Sequence, residues 1–198
     1  MRLVLAITLI SIFSVINAQA ETPLFNGKDL SGWTALPGGE WKVEDGVIRG
    51  VSAKDEKRHG LLLSDKQYTD FEITLEYKAV TGNSGFYFRA EKVDHKVSVA
   101  GFQAEVDAKG KNCAGLYETL GRKWVAQPSK EAKAAFKLGE WNTMTVKAVG
   151  SDITVHLNGV KAVELKNDTG RTKGHFGLQL HGGQDMDVSF RNIVIKTM

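Results

Sequence analysis

The feature that most constrains this chain is a two-residue alternation of apolar and polar side chains, repeated in short runs. Phe71, Ile73, Leu75 and Tyr77 alternate with Glu72, Thr74, Glu76 and Lys78. Ile153, Val155 and Leu157 alternate with Thr154 and His156, and Phe176, Leu178 and Leu180 with Gly177, Gln179 and His181. Successive side chains of a strand point to opposite faces, so each run reads as a strand with one buried face. The runs end at Gly, Asn or Asp. Asp45-Gly46 separates Trp41–Glu44 from Val47–Arg49, and Asn158-Gly159 follows Leu157; both dipeptides suit two-residue hairpins. Gly82-Asn83-Ser84-Gly85 reads as a turn before Phe86–Arg89, and a last run covers Val188 to Ile195. Only Ser129 to Phe136 has helical character, with Ser129 as its cap and Gly139 just past its end. With 21 glycines against 3 prolines, the expectation is an all-β sandwich or jelly roll carrying one short helix.

The N-terminus follows a different pattern. After Met1 and Arg2, residues Leu3 to Ile16 carry no charge, and Ala18-Gln19-Ala20 precedes Glu21. These are the parts of a signal peptide over residues 1–20, cleaved after Ala20, leaving 21–198 as a single domain. The apolar run has 14 residues, fewer than the roughly 17–25 that a bilayer span needs. The expectation is a periplasmic or secreted bacterial protein with no membrane span after cleavage. Lys plus Arg is 26 and Asp plus Glu is 23. No basic stripe marks a nucleic-acid partner. The one cysteine, Cys113, excludes an intramolecular disulfide and any cysteine-built metal cluster; it reads as a buried thiol. The sequence leaves the oligomeric state open.

Chemistry is to be sought on the polar strand faces. In Phe102–Asp107 the alternation puts Gln103, Glu105 and Asp107 on one side. Two carboxylates and an amide roughly 7 Å apart suit a sugar, a proton or a metal, and crowded carboxylates raise each other's pKa. Gln179 and His181 share a second polar face that ends at Gly182-Gly183. His181 is suited to proton transfer near neutrality. Tyr87 and Arg89 form a third such face, where Arg89 can hold a polarised oxygen. Trp124, in a polar loop, is the candidate sugar-stacking platform, whereas Trp33, Trp41 and Trp141 read as core. His59, His95, His156 and His175 lack partners at ligand spacing and read as structural or surface residues. No cofactor is indicated with certainty; a divalent metal ion on Glu105, Asp107 and His181 stays open.

Two resemblances bear on these residues. Glu105-Val106-Asp107 is similar to the start of the E-x-D-x-x-E motif of laminarinase-type glycoside hydrolases, but Gly110 stands where the last acid belongs. A retaining hydrolase needs two carboxyl groups about 5–5.5 Å apart, so that route is disfavoured. The whole of 21–198 resembles the 3-keto-disaccharide hydrolase domain family. The segments that carry the resemblance are Pro23–Trp33 (PLFNGKDLSGW), Trp41–Ile48, Gly82–Arg89, Gly139–Asn142, Leu157–Gly159, Gly177–His181 and Phe190–Ile193. The resemblance implies a concanavalin- or laminarinase-like jelly roll acting on 3-keto-glycosides. A C3 ketone acidifies the C2 hydrogen, so removing that proton and expelling the C1 substituent needs one base, one acid and an enolate stabiliser. By resemblance Glu105 and His181 become the acid/base candidates and Arg89 the enolate-binding one. Asp107, Gln103, Tyr87, Gln179 and Trp124 become substrate-binding candidates. The alternative function is a non-catalytic carbohydrate-binding module; in either case the partner is a carbohydrate.

Overall fold

The structure, a computed structural model, describes residues 20–198; the signal-peptide reading falls almost wholly on residues outside that range. Two antiparallel sheets face each other. The first runs β13 (Val160–Leu165), β12 (Asp152–Leu157), β11 (Asn142–Val149), β6 (Phe71–Thr81), β15 (Met186–Thr197), β4 (Val47–Ser52), β3 (Glu40–Glu44). A two-residue strand, β1 (Thr22–Pro23), pairs with the far end of β15. The second sheet runs β10 (Lys123–Ala126), β9 (Leu116–Thr119), β8 (Val99–Asp107), β7 (Asn83–Lys92), β14 (Gly174–Leu180), β5 (Gly60–Tyr68), β2 (Trp33–Ala35). The fold is an all-β jelly roll. Among the described residues no helix is long and apolar enough to cross a membrane.

The hairpin dipeptides behave as their chemistry requires. Glu44 pairs with Val47 across Asp45-Gly46, whose φ angles are 49° and 77°. Leu157 pairs with Val160 across Asn158-Gly159, at 49° and 81°. Positive φ at both central residues matches the right-handed twist of the flanking strands. Ser129 caps the helix α1 (Lys130–Ala135), its Oγ accepting from the Ala132 N–H at 3.1 Å. The helix stops when Phe136 turns extended, so Gly139 lies in the following loop and not at the cap.

Gly82-Asn83-Ser84-Gly85 departs from the expected turn. Gly82 alone redirects the chain, with φ of 86°, carrying it from β6 in one sheet to β7 in the other. Asn83, Ser84 and Gly85 are already in strand, paired with Asp107, Val106 and Glu105. A Cβ on Gly82 would lie 2.2 Å from the Met186 sulfur and 2.8 Å from the Asp185 carbonyl oxygen. The crossing therefore has no room for a side chain, and it delivers Asn83 to the outer face beside Glu105.

The inner faces meet in an aromatic core. Phe176 on β14 stacks on Tyr68 at 4.5 Å and meets Phe71 of the opposite sheet edge-on at 4.7 Å. Phe86, Phe88 and Phe102 are fully buried alongside. Trp33 and Trp41 are core residues as their spacing suggested. Trp141 is not: it is half-buried under the Arg191 guanidinium, 4.0 Å from its ring centre.

One irregularity displaces a predicted site residue. Between Phe88↔Phe102 and Glu91↔Ala100, β7 carries Arg89 and Ala90 while β8 carries only Gly101. This is a β-bulge, and an extra residue re-aims the side chains around it. Arg89 has φ of 50° and is 1% exposed. Its Nε and Nη2 donate to the Thr69 carbonyl at 3.2 and 2.9 Å, and its Nη1 to the Arg171 carbonyl at 3.3 Å. Asp70 stands 3.5 Å from Nη2 and also accepts from the Gly150 N–H. Arg89 thus ties together three loops at one end of the sandwich, and the expectation that it binds a substrate oxygen is corrected. Arg89→Met should cost roughly 2–4 kcal/mol of unfolding free energy, because carbonyls and a carboxylate lose a buried charged partner. Urea unfolding checks this, and an unshifted midpoint would remove the tying role.

Candidate functional site

The outer face of the second sheet is where the polar halves of the alternating strands collect. Phe102, Ala104 and Val106 of β8 enter the core, while Gln103 and Glu105 face outward into a cleft of about 410 Å³. Tyr87 of β7 and Gln179 of β14 join them there, with His181 just beyond the end of β14. Trp124 of β10 and Tyr117 of β9 form an aromatic wall, their rings edge-to-face at 5.4 Å. Trp124 is 40% exposed, which leaves a face free to stack.

These polar groups are buried, so they must satisfy one another. Glu105 is 7% exposed, Gln103 5% and Gln179 2%. Asn83 Nδ2 donates to Glu105 Oε1, and Gln103 Nε2 donates to Oε2 at 2.8 Å. Gln179 Nε2 donates to the Tyr87 hydroxyl at 3.2 Å, and that hydroxyl bonds Thr119 Oγ1 at 2.8 Å. The same Gln179 amide donates to His59 Nδ1 at 3.1 Å. Leu36, Leu61, Leu63, Ala90 and Val99 form a small apolar cluster with Tyr87 and keep water from the base of this network.

The electrostatics follow from burial. Loss of solvation raises the Glu105 carboxyl from its ordinary 4.5 to about 7. The Asp107 charge pushes the same way, and the Asn83 and Gln103 hydrogen bonds oppose the shift only in part. Burial lowers His59 to about 4, helped by His181 and Lys96 nearby. His59 is therefore neutral, with Nδ1 accepting from Gln179 and its proton on Nε2. Its ring lies 4.2 Å from that of His181, tilted by 45°. The Gly182 carbonyl accepts from His181 Nδ1 at 2.8 Å, so in the neutral ring Nε2 is the acceptor nitrogen. A carboxyl that titrates near neutrality and an imidazole with a basic nitrogen, both on one cleft, can exchange protons with a bound molecule.

Six residues of the sequence-predicted site meet here: Glu105, His181, Gln103, Tyr87, Gln179 and Trp124. Asp107 does not reach this cleft. It accepts from the Lys109 N–H at 2.8 Å and lines an adjoining cavity. Its charge acts on Glu105 from there. The metal set left open above, Glu105, Asp107 and His181, does not assemble: among the described residues no three His, Cys, Asp or Glu side chains converge. His59, expected as a structural or surface residue, lines the cleft with its ring packed against that of His181. Asn83, Lys96, Tyr117 and Thr119 also line the cleft without having been anticipated. Tyr117 and Thr119 had a signal, being alternate residues of one strand. Asn83 lies in a tetrapeptide whose composition predicts a turn, which assigns its side chain to no strand face. His59 had none, since 120 residues separate it from Gln179. Cys113 is buried as expected; burial raises its thiol to about 11, away from nucleophilic use.

Fold and cleft together define an all-β jelly-roll domain with a buried polar network on the outer face of one sheet. Residues 20–196 match the 3-keto-alpha-glucoside-1,2-lyase-like domain, and the chain belongs to that family. A protein of Parabacteroides distasonis ATCC 8503, provisionally described as a glycosyl hydrolase, is similar at 26% identity and a TM-score of 0.67. That match covers 90% of this chain and all of the other. The carbohydrate-binding module CBM66 of Bacillus subtilis shares the fold at 19% identity and a TM-score of 0.64, over 84% of this chain and 96% of that one. A Bacillus subtilis protein with a galectin-like fold shares it at 13% identity and a TM-score of 0.69, over 90% of this chain and 94% of the other. No curated protein matches in sequence.

The Glu105 shift has a consequence for stability. A carboxyl raised from 4.5 to about 7 holds its proton more tightly folded than unfolded. Its contribution is therefore most favourable below 4.5 and is lost as pH rises from 4.5 to about 7. The loss is roughly 3 kcal/mol at 1.36 kcal/mol per unit. The stability of wild type minus that of Glu105→Gln should fall by about that amount across the window. Denaturant titrations at several pH values check it, and a pH-independent difference would refute the buried proton.

Proposed function

We propose that this protein cleaves 3-keto-glycosides, including 3-keto-disaccharides, by removing the C2 proton and eliminating the C1 substituent. The observation that carries this reading is the pairing on one cleft of a carboxyl titrating near 7, Glu105, with His181, whose Nε2 is its basic nitrogen. Family membership supports the substrate class, and Trp124 with Tyr117 supports a sugar ring against the cleft wall.

Base and acid have separate work. His181 Nε2 takes the C2 proton, and the electron pair flows onto the C3 oxygen as an enolate. As the enolate collapses to the ketone, a C1–C2 double bond forms and the C1–O bond breaks. Protonated Glu105 delivers its proton to the departing oxygen. Release at this stage is lyase activity; addition of water to C1 makes the net reaction hydrolysis. With Arg89 committed to the end loops, the cationic side chain on the cleft wall is Lys96, and we assign to it the stabilisation of the enolate oxygen. Tyr87 and Gln103 hold the carboxyl and the sugar hydroxyls in register.

Glu105→Gln and His181→Ala should each fold and lose roughly a hundred- to ten-thousand-fold in turnover of a 3-keto-disaccharide, while the unoxidised parent sugar is inert with all forms. Product analysis by mass spectrometry checks this. Equal cleavage of the keto and parent sugars would sink the keto-activated mechanism. The second reading is a carbohydrate-binding module, favoured by the exposed Trp124 face and by the likeness in fold to CBM66; it predicts sugar binding with no product. The uncharged run Leu3–Ile16 with Ala18-Gln19-Ala20 supports export to a bacterial periplasm or beyond. Protein recovered from the periplasm or medium should then begin at Glu21, which N-terminal sequencing tests.

A further inference from the structure

A second cavity, of about 510 Å³, opens where the chain crosses between the sheets at Gly82. It and the 410 Å³ cleft share one wall residue, Asn83. The Asn83 side chain donates to Glu105 of the cleft, while its backbone N–H donates to Gln184 Oε1 of the second cavity at 3.1 Å. Each space lies in the about 300–1,000 Å³ range of small-molecule sites, and the carboxyl assigned as proton donor stands at the ridge between them. The second cavity is polar and balanced in charge. Lys54 and Lys109 face it together with Asp107 and Asp185. Asp185 accepts from the Lys54 N–H at 3.0 Å and Asp107 from the Lys109 N–H at 2.8 Å, so both carboxylates are fixed by backbone. Among the described residues neither lysine ammonium has an ion pair. The aromatic wall of the cleft has no counterpart here; its largest apolar side chain is Val80.

From this geometry we propose that the second cavity is the subsite for the leaving group, and that the leaving group it selects is a second neutral sugar. Two ammonium donors and two carboxylate acceptors suit a polyol, and a zero net charge gives no advantage to an acidic one. The keto-sugar stacks against Trp124 in the cleft. The scissile C1–O bond then crosses the Asn83 ridge, within reach of Glu105. This inference rests on the function proposed above and adds the side on which the departing group is held.

The test compares two substrates with the same keto-sugar: a 3-keto-disaccharide and the corresponding methyl 3-keto-glycoside. In the double variant Lys54→Ala/Lys109→Ala, which removes two exposed ammonium groups, KM for the disaccharide should rise roughly tenfold, as expected for lost charge-assisted hydrogen bonds. Its kcat, and both constants for the methyl glycoside, should stay at wild-type values. Unchanged methyl-glycoside turnover also reports that the variant is folded. Equal effects on the two substrates, or no effect on either, would overturn the subsite. A wild-type protein that cleaves neither substrate would instead overturn the proposed activity, and the subsite with it.

Discussion

The rest of the structure depends on one constraint: the central strands of the second sheet, β7, β8 and β14, are buried on both of their faces. The inner face of that sheet packs Phe86, Phe88, Phe102 and Phe176 into the sandwich. Its outer face buries Tyr87, Gln103, Glu105 and Gln179, which have to satisfy one another because water cannot reach them freely. A carboxylate in that position pays for desolvation by taking up a proton near neutrality. The same burial keeps His59 neutral and leaves the Gln179 amide as the link between the Tyr87 hydroxyl and the imidazole. The proton chemistry proposed for this face thus follows from how the sheet is covered.

Positioning comes from irregularities in an otherwise regular sheet. The crossing at Gly82 brings Asn83 to Glu105 without an intervening loop, because no side chain fits where the backbone passes Met186 and Asp185. The bulge at Arg89-Ala90 has the opposite effect. It removes a guanidinium from the face that simple alternation would give it and sets it among the carbonyls of Thr69 and Arg171. Loops then complete the cleft: His59 enters from the segment before β5, and Lys96 from the connection between β7 and β8.

Two neighbouring spaces, divided by Asn83, fit the proposed reaction, in which one sugar is activated and another leaves. The cleft has an aromatic wall and the titrating groups. The adjoining cavity has lysines and carboxylates in balance. Family membership points to carbohydrate; the buried carboxyl of Glu105 is the feature on which the proposed chemistry rests.

What the sequence by itself determined is whatever depends on neighbours along the chain. Period-2 runs set the strands and their inner faces, Asp45-Gly46 and Asn158-Gly159 set two hairpins, and Ser129 set the start of the helix. The outward facing of Gln103, Glu105 and Gln179 follows from the same alternation, so most of the candidate site was legible. Tertiary structure decided the rest. Alternation cannot register a bulge, so it assigns Arg89 to a face its side chain does not occupy. It cannot foresee that Asp107, one pleat beyond Glu105, falls past the ridge into another cavity. Nor can it bring His59 to Gln179 and His181, since contacts between residues more than a hundred positions apart are made only when strands from distant parts of the chain lie side by side.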